Sequence, residues 1–210
     1  GESRLLSIAH TAYHAEVYSA LTKVLRVTRT RPKLVILPIN LRSFSPQWDL
    51  YPEWQFRDEG RAVDAYLANP ELGIMGVNEV AMTSDLLRQF DAIPVRYALS
   101  DKTRVGEFRQ TIAATPRSEQ ERASRRREIF IYHYTHLLDP GHRKLAALDD
   151  CVGTLAALGI PALVYITPIN WSAGARYAGE EFVAAVEANV ATVDRRFAHC
   201  GGAMSSRVVD

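Results

Sequence analysis

Two asparagines stand in the same tripeptide, Pro38-Ile39-Asn40 and Pro168-Ile169-Asn170, each after an apolar run of strand length. A carboxamide at such a place has two uses. Its N–H2 group can donate to an oxyanion that develops during acyl transfer, or its oxygen can accept from a substrate hydroxyl. Equally, the side chain can cap the strand end and satisfy the backbone of the loop that follows. Arg42, two residues beyond Asn40, can bind a carboxylate or phosphate bidentately or serve as a structural donor to loop carbonyls. Between Ser43 and Phe56 the chain is dense in aromatics and prolines, with Trp48 and Trp54 among them. So apolar a loop must pack on something, and we read it as one wall of a substrate pocket rather than a cover for the sheet end.

The histidines suggest metal chemistry at first. His133 and His136 are three apart, Asp139 and His142 follow, and His10 and His14 are four apart at the first strand-helix junction. We read the 133–142 group as packed or surface histidines beside tyrosines, and expect neither a metal nor a cofactor. One of His10 and His14 is placed facing the same cleft as Asn40. The chain has no Gly-rich phosphate loop, no Gly-x-Ser-x-Gly elbow and no Cys-x-x-Cys pair, which weakens nucleotide-binding, dehydrogenase, classical α/β-hydrolase and thioredoxin readings.

The elements that must position these residues follow from hydrophobic period. Residues 4–9 form a short buried run, after which Tyr13, Val17, Leu21 and Val24 recur at helical spacing. Lys33 to Asn40 is a continuous apolar run of the kind covered on both faces, so strand, helix and strand make a right-handed βαβ unit with parallel strands. The same grammar returns with the stripe Leu145, Leu148, Val152 and Leu155, a stop at Gly159, a buried run at 161–167 and a long amphipathic helix ending near residue 199. A strand at 206–209 would follow. Residues 57–143 read as a helical insertion, in which Arg117 to Glu128 carries mixed charges as a solvated helix face does. The expected fold is one three-layer, flavodoxin-like α/β domain over residues 1–210, with a parallel sheet. Ligands of such sheets lie beyond the strand carboxyl ends, where Asn40, Arg42 and Asn170 stand.

Composition agrees with a packed domain, since 47% of the residues are hydrophobic and 23% charged. A formal net charge of +1 gives no global reason to expect nucleic acid as a partner. No apolar stretch reaches the length of a membrane span, and two cysteines 49 residues apart do not suggest a disulfide scaffold. A reducing, cytosolic setting is therefore the expectation.

The layout resembles the SGNH or GDSL-like hydrolase family, whose sequence blocks follow successive strand ends of a flavodoxin-like domain. In Pro38-Ile39-Asn40-Leu41 the asparagine matches the one in that family's Gly-x-Asn-Asp block, which donates to the oxyanion. His10-Thr11-Ala12 matches the neighbourhood of the second block, so the resemblance gives the Ala12 N–H the role of a backbone donor. The nucleophilic Gly-Asp-Ser block would lie before residue 1 and the Asp-x-x-His block after residue 210. What the resemblance implies is a serine-dependent ester hydrolase or acyl transferase acting on an O-acylated small molecule or carbohydrate. Asn40 and Ala12 would be catalytic, and His10, Arg42, Trp48, Trp54 and Asn170 would bind substrate. The reading it competes with is a non-catalytic α/β domain that binds a carbohydrate or another small ligand through the aromatic loop.

Overall fold

The structure, a computed structural model, describes residues 15–28, 31–45, 57–72 and 113–198, with Ser7 and Gln110 as isolated positions. These residues form a mixed α/β arrangement that is mostly helical around a small parallel sheet. In chain order the elements are α1 (Ala15–Val24), β1 (Val35–Ile39), a 3-10 helix (Leu41–Phe44), α2 (Arg57–Ala68), a 3-10 turn (Pro70–Leu72), α3 (Glu119–Tyr134), α4 (Arg143–Ala157), β2 (Ala162–Ile166), α5 (Trp171–Ala178) and α6 (Glu180–Phe197).

Strands β1 and β2 pair in parallel, with Val35 opposite Ala162 and Ile39 opposite Ile166. Both sit inside the apolar runs read as strands, and the expected parallel direction is the observed one. Leu37, Ile39 and Val164 are buried, while Ile36 and Tyr165 on the other pleat are exposed. Of the expected strand at 4–9 only Ser7 is described, and that at 206–209 lies outside the described residues.

Helix α4 ends as its sequence demands. Gly159 has φ of +69°, and the Ile160 N–H donates to the Leu155 carbonyl (2.9 Å) and the Gly159 N–H to the Ala156 carbonyl (3.0 Å). This double bond pattern is the Schellman motif, which only a residue free of a Cβ closes cheaply. It turns the chain directly into β2. Gly179, at φ +78°, separates α5 from α6, so the long amphipathic helix expected to end near residue 199 begins at Glu180.

The shared core joins both strands to α3, α4, α5 and α6, through Leu37, Ile131, Leu145, Leu148, Val164 and Phe182 among others. Helix α3 belongs to this core although it falls within the segment read as an insertion. Its first half is a capped, exposed run: Ser118 accepts from the Glu121 N–H while Glu121 accepts from the Ser118 N–H. Its last turn buries Ile131, Tyr132 and His133. Helix α1 also differs in detail from its apolar stripe. It buries Ser19 and Thr22 with Ala15 and Val17, because Ser19 Oγ donates to Asp150 of α4 (2.9 Å) and Thr22 Oγ1 to the Ser19 carbonyl (2.9 Å).

Candidate functional site

The carboxyl ends of the two strands lie side by side, since the Thr167 N–H donates to the Ile39 carbonyl at 2.8 Å. Asn40 follows β1 at once. Its Oδ1 accepts from the Arg42 N–H at 3.0 Å, which caps the 3-10 helix, and its carbonyl accepts from the Ser43 N–H (2.9 Å) and hydroxyl (2.7 Å). With the oxygen so engaged, the N–H2 end of the exposed Asn40 carboxamide is the part left available. Asn170 plays a similar part for α5, accepting from the Ala173 N–H at 2.9 Å and the Ser172 hydroxyl at 3.3 Å. The two tripeptides nevertheless differ in phase: Asn40 is the first residue after β1, whereas Asn170 is the fourth after β2. Arg42 is exposed on the 3-10 helix. Both asparagines and Arg42 thus leave the same end of the sheet. His10, Ala12, Trp48 and Trp54 lie outside the described residues.

Beneath this loop is a buried polar frame. Ser45 Oγ lies 3.1 Å from His133 Nδ1 of α3, and Lys144 Nζ of α4 donates to the Ser43 carbonyl. Phe44 meets the His142 ring edge to face at 5.3 Å, and His142 Nδ1 accepts from the Lys144 N–H at 3.2 Å to cap α4. Ser45 and Lys144 are wholly buried and His133 is 2% exposed. The Ser45–His133 pair has the atoms of a nucleophile and its base, but not their setting. No substrate reaches a serine at zero exposure. Moreover burial, with the charge of Arg42 and His136 adding to it, depresses His133 from an ordinary 6.5 to about 2, far from the value near the working pH that a general base needs. The pair is a strut that fixes the loop carrying Asn40.

That strut makes stability depend on pH. The folded state keeps His133 neutral down to about pH 2, while the unfolded chain takes up the proton near 6.5. Stability from this group is therefore complete above about pH 6.5 and declines below it, by about 1.4 kcal/mol per pH unit. Urea unfolding at pH 7, 6 and 5 is expected to show this slope in excess of the His133→Gln variant. Parallel pH profiles for the two proteins would contradict it.

Among the described residues no group of three or more His, Cys, Asp or Glu side chains is placed to hold a metal. His136, buried near the end of α3, belongs to the packed frame. The open groove of about 980 Å³ beside Ile160, Pro161 and Ala162 is at the amino end of β2, opposite to Asn40. Sequence reasoning missed Ser45 and Lys144, whose roles depend on contacts 88 and 101 residues away. It noticed His133 only as part of a histidine cluster.

No protein-family model, curated protein or solved structure matches this chain. The helix lengths and hydropathies of the described residues include none long and apolar enough to cross a membrane.

Proposed function

We propose that this chain supplies the central part of a three-layer α/β domain of a serine-dependent ester hydrolase or acyl transferase of the SGNH-like kind, with Asn40 as an oxyanion donor. The observation that carries the reading is the placement of Asn40: first residue after a parallel strand, beside the end of the neighbouring strand, its oxygen tied to the Arg42 N–H and its N–H2 end free to donate. In such a reaction a serine hydroxyl attacks the ester carbonyl carbon while a histidine removes its proton. The carbonyl oxygen then gains charge, and preorganised N–H donors lower the barrier because they need no reorientation as that charge appears. The Asn40 carboxamide, held by its loop, meets that requirement, with the Ala12 N–H as the second donor. Arg42 and Asn170, at the same sheet edge, would contact an O-acylated small molecule or carbohydrate. The reading further requires a nucleophilic serine and a histidine base, roles assigned to none of the residues named above.

The test separates donation from capping. In a protein that also carries the serine and histidine segments, Asn40→Asp keeps the oxygen that caps the 3-10 helix but loses the N–H2 donor. Turnover of p-nitrophenyl acetate is expected to fall roughly 10²–10³-fold, with the unfolding midpoint nearly unchanged. Asn40→Ala is expected to fall as far and to lose roughly 1 kcal/mol of stability as well. Wild-type turnover in the Asp variant would reduce Asn40 to a cap, and failure of a fluorophosphonate to label the complete protein would remove the serine mechanism and favour a ligand-binding domain.

A further inference from the structure

Away from the strand ends, α3 and α5 bring two arginines onto one phenol. Tyr177 Oη accepts from Arg126 Nη1 of α3 at 2.7 Å and from Arg176 Nη2 at 2.9 Å. Both guanidinium carbons also lie close to the ring, 5.6 and 5.0 Å from its centroid. Phe130 stacks on Tyr177 with an interplanar angle of 14° and a centroid separation of 6.1 Å, so the ring is held in place by the aromatic cluster beneath it. A phenol oxygen offers two lone pairs, and both are taken.

Among the described residues the charge here is only partly balanced. Glu119 bonds Arg122 at 2.8 Å and stands 4.0 Å from Arg126. Among the described residues Arg176 has no carboxylate partner, and the neutral phenol orients the two guanidinium groups without cancelling their charge. Two arginines thus share Glu119, and Arg176 adds a third positive charge beside them. Like charges gathered on one acceptor repel one another unless an anion joins them, and each fork keeps N–H donors beyond the one it gives Tyr177. The field is strong enough to lower the Tyr177 hydroxyl below its ordinary value, through the Arg176 and Arg126 hydrogen bonds in that order.

We infer that Arg126, Arg176 and Tyr177 form a binding site for a small dianion of the phosphate or sulfate type, at the exposed seam between α3 and α5. A tetrahedral anion presents oxygens in several directions, which suits two forks that arrive from different helices, and arginine forks match such oxygens well. Tyr177 is the common acceptor that keeps the two forks together in the absence of the anion. This assignment is independent of the ester-hydrolase reading and needs no segment beyond the described residues.

Equilibrium dialysis of radiolabelled inorganic phosphate against the protein, at pH 8 and at ionic strength fixed with chloride, tests it. One phosphate per chain is expected, displaced by sulfate and not by equivalent chloride, with at least tenfold weaker binding in Arg126→Gln and Arg176→Gln. Arg195→Gln, on the last turn of α6, is expected to bind as the wild type does. Both mutated side chains are exposed, and far-UV spectra of the variants should match the parent. Bound phosphate should also raise the ionisation midpoint of Tyr177, read as the difference in phenolate absorbance between the parent and Tyr177→Phe. Unsaturable uptake, equal binding in the two glutamine variants, or an unmoved tyrosine titration would overturn the site. Sedimentation with phosphatidate vesicles in the absence of saturable binding of free phosphate would likewise overturn the small-anion assignment.

Discussion

Phe182→Ala is expected to cost about 3–5 kcal/mol of stability, the range for removing a large aromatic side chain from a well-packed core. Phe182 is at zero exposure, at the start of α6, where three other helix-borne rings meet it edge to face: Phe130 at 5.5 Å, Tyr134 at 5.9 Å and Trp171 at 6.2 Å. Its ring also lies directly against Gly174, where a Cβ would overlap it. The phenyl group therefore joins α3, α5 and α6 at one point. Its loss removes apolar burial and several edge-to-face contacts, and the backbone around Gly174 can collapse only partly into the space. A shift of the urea midpoint with an unchanged m-value would show this. A loss under about 1 kcal/mol would mean that the three helices are held elsewhere.

Asn189→Leu is expected to be comparably damaging, although it places an apolar side chain of similar size at an interior position. Asn189 is 2% exposed. Its Oδ1 accepts from the Leu138 N–H at 2.7 Å, and its Nδ2 donates to the His136 carbonyl at 2.7 Å and toward that of Tyr134 at 3.5 Å. These are backbone groups where α3 has ended and the chain turns toward α4, so no helix ladder serves them. Leucine would leave a buried N–H and a buried C=O unmet at roughly 1–3 kcal/mol each, giving about 2–6 kcal/mol in all. Faster hydrogen exchange at the Leu138 amide would locate the damage. Unaltered exchange there, with stability preserved, would show that water replaces the carboxamide.

What could be read in advance follows from which forces are local. Val35–Ile39 and Ala162–Ile166 were legible as continuous apolar runs of strand length, although Ile36 and Tyr165 on one pleat are exposed rather than covered, and Gly159 because a left-handed C-terminal turn selects glycine. The asparagine caps were legible as one of two uses for Asn40 and Asn170, since a short carboxamide beside a loop competes for nearby N–H groups. The frame below Asn40 was not. Ser45 and His133, or Lys144 and Ser43, carry no mark of each other in sequence, and a lysine beside the Leu145 stripe looks like an exposed helix residue until the loop arrives to receive its N–H. Likewise the burial of Ser19 and Thr22 on α1 follows from Asp150 on another helix, which hydrophobic period cannot register. The membership of α3 in the main core was hidden by its own first half, whose arginines and glutamates describe a solvated surface that ends only at Ile129.

The pairing of β1 with β2 also has a kinetic side. Val35 meets Ala162 across 127 residues of chain, and closing a loop of that length costs about 4 kcal/mol of chain entropy by the logarithmic law. From α3 to α6 the separations are shorter: Arg126 meets Tyr177 across 51 residues and Asn189 meets His136 across 53. Contacts of shorter range are made early and more distant ones late. The expected order of assembly therefore runs against the order of synthesis: β1 leaves the ribosome long before β2 exists, and its pairing awaits the later elements that present the edge to which it docks.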